Sequence, residues 1–208
     1  MKKIVYTMLI GDYLPKMCSV TIPTIKSYAE KIGAEFKILT DRKFPNWNIM
    51  YEKFQIHELG KDADWNFYFD ADIILHPRMP DLSEFLHPFC VGCFYAFATP
   101  SNYPLNIYFQ RNCRNVVLAG SMIMSSRFTH EIWEPFEESV ENIYKTIKPI
   151  DEYRMAMNLA RYNLNYAGLN IPETVGKFFH LEITSNNEQS DQTGIDLAYR
   201  YMKANDML

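Results

Sequence analysis

Two aspartates, separated by one residue, end an apolar and aromatic stretch of the sequence. Asp70 and Asp72 interrupt a run that is hydrophobic at 67–69 and again at 73–75. This pattern predicts a buried strand, in which side chains alternate between faces, so both carboxylates would point the same way. Two ionised carboxylates this close repel each other unless a positive charge lies between them. A divalent cation, held through oxygen ligands and shared with a substrate phosphate, would meet that need.

The composition and charge exclude several classes of protein. The chain has 208 residues, enough for one domain, 1–208, with a full core. Its formal net charge is −4 and it has no dense Lys/Arg run, which argues against a nucleic-acid-binding surface. No apolar run is long enough to span a bilayer. An acidic chain that handles a polyphosphate needs a local positive charge, and this again favours a metal ion.

The N-terminus resembles a secretion signal only superficially. Lys2 and Lys3 precede an apolar run, but that run breaks at Gly11-Asp12 and no small-residue cleavage site follows. We interpret this segment as a first strand and expect a cytoplasmic protein. The Cys90-Val-Gly-Cys93 pair has half of a zinc-site spacing, but no second pair completes it, so we expect reduced cysteines.

Strand-like and helix-like patterns alternate along the first third of the chain. This alternation predicts an α/β fold whose mostly parallel sheet is covered by helices on both faces. Strands are predicted at 3–10, 35–40, 65–75 (interrupted at 70–72), 95–99, 115–124 (broken at 119–121) and within 177–184. Helices are predicted at 48–59, 82–86, 128–147, 150–164 and 191–204. A further helix, after the first strand, has Ile25, Tyr28, Ala29 and Ile32 on one face, and Pro23 either starts or kinks it.

Four motifs, taken in order, resemble the nucleotide-sugar glycosyltransferases of the A-type (GT-A) fold, and most of all glycosyltransferase family 8. The likeness covers residues 3–182. An Asp-x-Asp (DxD) motif alone is a weak signal, so the value of the match lies in context and order. The resemblance implies a single-domain, Rossmann-like mixed sheet, mostly parallel, with helices on both faces. The motifs are the first-strand turn Asp12-Tyr13, the strand end Asp70-Ala71-Asp72, the small-residue turn Ala119-Gly120-Ser121 and the acidic helix start Asp151-Glu152.

The same resemblance implies a role for each matching residue. Asp70 and Asp72 would face the metal, Mn²⁺ or Mg²⁺, and the nucleotide sugar. His180 would complete the metal shell, with Glu182 as the alternative, because the Gly and Lys-Pro that accompany this histidine in the family are missing here. Lys53 would reach the diphosphate or the sugar. The residues implied to cradle the base, ribose and donor sugar are Tyr6, Thr7, Asp12, Tyr13, Gly120 and Ser121.

Asp151 and Glu152 are the implied catalytic residues, beside the donor sugar and the acceptor hydroxyl. The family carries Asp-Gln where this chain has Asp-Glu. Plain structural roles stay open for several of these positions. Asp151 is also a good helix N-cap, Lys53 a good solvated helix residue and Gly120 an ordinary turn glycine. Tyr6 and Tyr13 are equally suited to a core.

Three functions follow from these residues. The leading one is metal-dependent hexosyl transfer from a UDP-sugar to a glycan, protein or small-molecule acceptor, with retention of anomeric configuration as in family 8. A second is a phosphatase or phosphotransferase of the haloacid dehalogenase type, whose first Asp is a nucleophile. That family carries its motif on the first strand, whereas here two βα units precede it. The third is a non-catalytic nucleotide-sugar-binding protein. The sugar, the acceptor and the oligomeric state are left open.

Overall fold

The computed structural model describes residues 1–93, 96–98, 116–118, 120–136, 150–168, 181–182 and 191–208. The elements of this part, in chain order, are β1 (Lys3–Met8), α1 (Pro15–Lys31), β2 (Glu35–Leu39), a 3₁₀ helix (Ile49–Gln55), α2 (Ile56–Leu59), β3 (Trp65–Phe69), β4 (Ile73–Ile74), a 3₁₀ helix (Leu82–Glu84), β5 (Cys90–Cys93), β6 (Ala96–Ala98), β7 (Val116–Leu118), β8 (Met122–Ser126), a 3₁₀ helix (His130–Trp133), α3 (Ile150–Arg161), β9 (Asn165–Gly168), β10 (Leu181–Glu182) and α4 (Asp191–Ala204).

A six-stranded sheet has the order β2-β1-β3-β8-β5-β9. The pairs β1–β2, β1–β3 and β5–β9 are parallel, whereas β8 runs antiparallel to both of its neighbours. Two short ribbons, β10–β4 and β6–β7, lie outside this sheet. The prediction of a mixed, mostly parallel sheet is therefore confirmed. The carboxyl ends of β1 and β3 lie at the same edge, which is where ligands bind in open α/β sheets.

Apolar clusters cover both faces of the sheet. Ile4 and Tyr6 of β1 belong to the cluster under α3 and the first 3₁₀ helix. Val5, between them, belongs to the cluster under α1. This alternation is the period-2 pattern of a strand that is buried on both sides, and it positions β1 and β3 in the centre of the fold.

Two parts of the sequence-based prediction are wrong. The single helix expected over 128–147 does not form at its start: a 3₁₀ helix occupies His130–Trp133, and Glu134 has extended backbone at φ −64°, ψ 122°. The next residue is Pro135, which disfavours helical backbone in the residue before it. Residues 137–149 lie outside the described part of the chain. The strands β5 and β9 were not expected, because four residues carry too little periodicity to be recognised.

A residue of helix α4, Asp191, caps the N-terminus of α1. The residue before α1, Leu14, has left-handed backbone (φ 39°) and provides no side-chain cap. Instead the carboxylate of Asp191 accepts hydrogen bonds from the backbone N–H groups of Lys16 and Met17, at 3.0 and 2.9 Å. The first backbone N–H groups of a helix have no acceptors within that helix. Here the carboxylate of Asp191, far along the chain, provides the acceptor oxygens. Within the described residues, no helix is long and apolar enough to cross a membrane.

We expect Asp191→Ala to lower stability by about 1 kcal/mol, the usual cost of losing an N-cap, which is roughly 2–4 °C in melting temperature for a chain of this size. Thermal unfolding measures this change. Asp196→Ala removes the same charge from an exposed position of α4 and is the matched control. Equal losses in the two variants would contradict the capping role.

Candidate functional site

The Asp-x-Asp motif lies in a turn immediately after β3. The strand ends at Phe69, so the alternation of strand side chains does not extend to Asp72 and the basis for the same-face expectation is wrong. The turn is closed by the N–H of Ile73, which donates to the Asp70 carbonyl at 3.2 Å. The N–H of Asp70 donates to the Ser121 carbonyl at 2.9 Å. The motif therefore begins on the sheet and leaves it within two residues.

The two carboxyl groups have different surroundings. The side chain of Asp70 is 32% exposed, whereas Asp72 is buried. The Tyr68 hydroxyl donates to Asp70 Oδ1 at 2.6 Å, and the Lys53 ammonium lies 3.8 Å from the same oxygen. Burial raises the pKa of Asp70 to about 6, with Lys53 opposing this rise and the charge of Asp72 adding to it. The two aspartates are thus close enough to repel each other.

Lys53 is the centre of a buried polar cluster. Its ammonium donates to Asp151 Oδ2 at 2.7 Å and to the Gly120 carbonyl at 2.9 Å, and it lies 4.8 Å from the centre of the Tyr68 ring. Burial alone would lower the pKa of Lys53, but the charges of Asp151 and Asp70 outweigh burial and keep the lysine protonated. The alternative of a solvated helix lysine is therefore wrong, because the carboxylates compensate the buried charge.

Gly120 is required by this ion pair. A Cβ at that position would lie 2.6 Å from Asp151 Oδ2 and 2.9 Å from Lys53 Nζ. The N–H of Gly120 donates to Glu152 Oε1 at 3.3 Å. The small-residue turn thus lets the backbone approach a lysine and two carboxyl groups, which is a firmer reason for glycine than an ordinary turn.

The acidic pair lies in the first turn of α3. Asp151 is inside the helix, one residue after Ile150, so its N-cap interpretation is wrong. Its second oxygen, Oδ1, is buried and makes no hydrogen bond to any residue in the described part of the chain. Burial, followed by the charge of Asp151, raises the pKa of Glu152 to about 7. One carboxyl group is therefore held by an ammonium, and its neighbour can exchange a proton near neutral pH.

The cluster carries more negative than positive charge. Four carboxyl groups, those of Asp70, Asp72, Asp151 and Glu152, act on one another or on the single ammonium of Lys53. Oxygen donors with a surplus of negative charge suit a hard divalent cation. Within the described residues, however, no group of three or more His, Cys, Asp or Glu side chains is placed to hold a metal ion. The carboxylates of Asp70 and Asp72 alone would leave the coordination shell of a divalent cation incomplete.

The structure tests the expected third metal ligand only at the backbone of its alternative, Glu182. His180 is outside the described residues. Strand β10 runs antiparallel to β4, with Glu182 opposite Ile73 and Leu181 opposite Ile74. The backbone of the alternative ligand, Glu182, is therefore paired with the residue that follows Asp72.

The predicted nucleotide-binding residues of the first strand and its turn differ in exposure. Tyr6 and Thr7 are buried at the end of β1, and their hydroxyl groups have no hydrogen-bond partner in the described part of the chain. Asp12 is exposed. Tyr13 is 42% exposed, and its hydroxyl donates to Asp72 Oδ2 at 3.4 Å, so it belongs to the site and not to a core. Ser121 is buried, and its carbonyl accepts the hydrogen bond from the N–H of Asp70.

Sequence reasoning missed Tyr68 and Thr21, whose hydroxyl groups both donate to the motif. Tyr68 precedes Asp70 by two positions and donates to it; the alternation of strand side chains was a sufficient signal for this neighbour. Thr21, on α1, donates through Oγ1 to the Ala71 carbonyl. Nothing in the local pattern connects a threonine in one helix with a turn fifty residues later.

No protein-family model and no curated protein sequence matches the chain. Solved structures do match. One is a glycosyltransferase involved in the glycosylation of the major capsid of PBCV-1, at TM-score 0.60 and 10% identity, covering 100% of both chains. Another is a mutant of Drosophila β1,4-galactosyltransferase 7 in complex with manganese, UDP-Gal and xylobiose, at TM-score 0.50 and 10% identity, covering 91% of this chain and 76% of that one. At this identity the likeness concerns architecture, and the chain has a GT-A-like fold.

We expect Lys53→Met to destabilise the protein by about 3–5 kcal/mol, because it leaves Asp151 buried without a counter-charge. Chemical denaturation measures this loss. Lys61→Met, which removes an exposed ammonium 3.9 Å from Glu58, is the control and should change stability by less than about 0.5 kcal/mol. Adding Asp151→Asn to Lys53→Met should recover part of the loss. If the stability losses of Lys53→Met and Asp151→Asn simply add in the double variant, the two side chains do not interact.

The pKa of Glu152 predicts a pH-dependent stability effect. Because this pKa is raised to about 7 from an ordinary 4.5, the native state binds the proton more tightly than the unfolded state. The contribution of Glu152 to the free energy of unfolding is fully present below pH 4.5 and is lost as the pH rises through 7. Glu152→Gln should therefore gain melting temperature relative to wild type between pH 5 and pH 8. A melting-temperature difference between Glu152→Gln and wild type that does not change with pH would refute the raised pKa. Glu131→Gln, at an exposed position, is the control.

Proposed function

We propose that this protein is a metal-dependent glycosyltransferase that moves a hexose from a UDP-sugar to a glycan, protein or small-molecule acceptor, with retention of configuration. The observation that carries this proposal is the surplus of carboxyl groups around Lys53 at the carboxyl edge of β1 and β3. The GT-A-like fold supports it, since one structure with this architecture contains manganese and UDP-Gal.

Asp70 and Asp72 are the residues that would hold Mn²⁺ or Mg²⁺. Their oxygen donors fit such an ion, and the pairing of β10 with β4 favours a further ligand from the segment of His180 and Glu182. A bound divalent ion supplies positive charge to the diphosphate and so stabilises the departing nucleotide. Tyr13 would orient Asp72 through their hydrogen bond while its exposed ring offers a surface to the uracil.

The remaining predicted residues would bind the donor. Tyr6 and Thr7 lie near the end of β1, and their hydroxyl groups have no hydrogen-bond partner in the described residues. A nucleoside bound there would accept from or donate to these hydroxyl groups. Asp12 would meet the ribose. Gly120 and Ser121 form the turn that approaches the donor sugar.

Asp151 and Glu152 would have separate tasks beside the sugar. Asp151 is bonded to Lys53 through Oδ2 and would orient a sugar hydroxyl through Oδ1, which has no hydrogen-bond partner in the described residues. Glu152, whose pKa is raised to about 7, would take the proton that the acceptor hydroxyl loses on attack. Lys53 would act on the diphosphate indirectly, by limiting the negative charge of the cluster.

We expect UDP-sugars to raise the melting temperature only when Mn²⁺ is present, because a ligand that binds the native state stabilises it in proportion to its affinity. A thermal-shift panel of nucleotide sugars, with and without Mn²⁺, identifies the donor. Asp72→Asn should abolish the Mn²⁺-dependent shift and leave the melting temperature without ligand within a few degrees of wild type.

Asp62→Asn removes an exposed carboxylate close to the same strand and should keep the full shift. Unchanged Mn²⁺-dependent UDP affinity in Asp72→Asn would refute the metal assignment. Phosphate release from simple phosphate esters, in place of UDP release from a UDP-sugar, would favour a phosphatase. Binding of a UDP-sugar without its hydrolysis, and without transfer of the sugar to any acceptor, would favour a non-catalytic protein.

A further inference from the structure

Two hydroxyl groups of α1 hold the segment that carries Asp72. Thr21 donates through Oγ1 to the Ala71 carbonyl. One turn farther along the helix, Thr24 Oγ1 accepts a hydrogen bond from the N–H of Leu75 at 3.0 Å. These bonds lie on either side of Asp72 and β4, so this stretch of backbone is attached to a helix and not to the main sheet.

The attachment matters because the segment lies outside the ladder of the main sheet. Strand β3 ends at Phe69, before the motif, and β4 is paired with β10 at two positions, outside the six-stranded sheet. The carbonyl of Ala71 belongs to the peptide that joins the residue between the two aspartates to Asp72. Its direction therefore helps to set where the Asp72 side chain begins.

Thr21 is suited to fix this peptide. It is fully buried, so water does not compete for its hydroxyl. The hydroxyl has one proton and two acceptors within reach, the Ala71 carbonyl and the Met17 carbonyl of its own helix at 3.2 Å. The Cys18 thiol, 3.9 Å from the Ala71 carbonyl, is a weak second donor. The bond from Thr21 is the stronger contact between α1 and the turn.

We propose that Thr21 is a positioning residue for Asp72: its hydroxyl holds the Ala71–Asp72 peptide in the orientation that presents the carboxylate to the site. The effect on metal binding rests on the proposed function, but the effect on the turn does not. The helix is itself held at its N-terminus by Asp191 of α4, so the support of Asp72 extends to the last helix of the chain. Met17, Cys18, Ala71, Ile74 and Ala198 form the apolar cluster that joins these three parts.

The test compares variants that change only the hydroxyl. Thr21→Val keeps the shape of the side chain and removes the donor, and Thr21→Ser keeps the donor. Thr129→Val is the matched control: its hydroxyl is equally buried and accepts from the N–H of Ser126 at 3.1 Å, after β8 and outside the site. Should Thr21→Val fail to fold, Thr21→Ala against Thr21→Ser isolates the same group.

Two measurements are made on each variant. Amide hydrogen exchange at Ile73, whose N–H closes the turn, reports on the turn without any ligand. Electron paramagnetic resonance of Mn²⁺ alone gives the metal affinity.

We expect Ile73 to exchange about fivefold or more faster in Thr21→Val and to keep its protection in Thr21→Ser and Thr129→Val. Mn²⁺ should bind Thr21→Val about tenfold or more weakly, as is usual when a group that orients a metal ligand is lost. Unchanged Ile73 exchange in Thr21→Val, or equal acceleration in Thr21→Ser, would overturn the proposal. Failure of wild-type protein to bind Mn²⁺ would refute the metal function, and the exchange data would still decide the positioning role.

Discussion

The ammonium group of Lys53 is the contact around which the candidate site is organised. It joins the first 3₁₀ helix to α3 through Asp151 and to the turn before β8 through the Gly120 carbonyl. A buried ion pair of this kind contributes little net stability, but removing one partner is costly. The pair therefore restricts which residues are acceptable around it, and it explains why residue 120 has no side chain.

One ammonium does not balance the carboxyl groups around it. Burial, with the charges of neighbouring carboxyl groups adding to it, raises the pKa of Asp70 to about 6 and that of Glu152 to about 7. A protein tolerates such uncompensated groups where a cation or a substrate completes them, which is why perturbed titration marks functional sites. The surplus of negative charge that begins with the two aspartates of the motif extends to a larger cluster, in which Lys53 is paired with Asp151.

The Asp-x-Asp turn is supported from two directions. On the sheet side, the N–H of Asp70 is bound by the carbonyl of Ser121. On the helix side, Thr21 binds the Ala71 carbonyl. A turn that leaves a sheet loses the regular ladder of hydrogen bonds, so its geometry depends on such individual contacts, each made by a residue far away in the chain.

By itself, the sequence determined the alternation of strands and helices, the bounds of α4 and the place of the carboxylate pair after a buried strand, because these follow from local periodicity and turn residues. It did not reveal β5 and β9, which are too short, and the helix expected from 128 is interrupted where Pro135 follows Glu134. The single domain 1–208, the cytoplasmic location and the roles of the site residues stay predictions. Only the tertiary structure decided that Lys53 meets Gly120 and Asp151, which are 67 and 98 residues away along the chain, and that Thr21 meets Ala71. Local pattern carries no information about such partners, because their proximity results from the packing of the whole sheet against its helices.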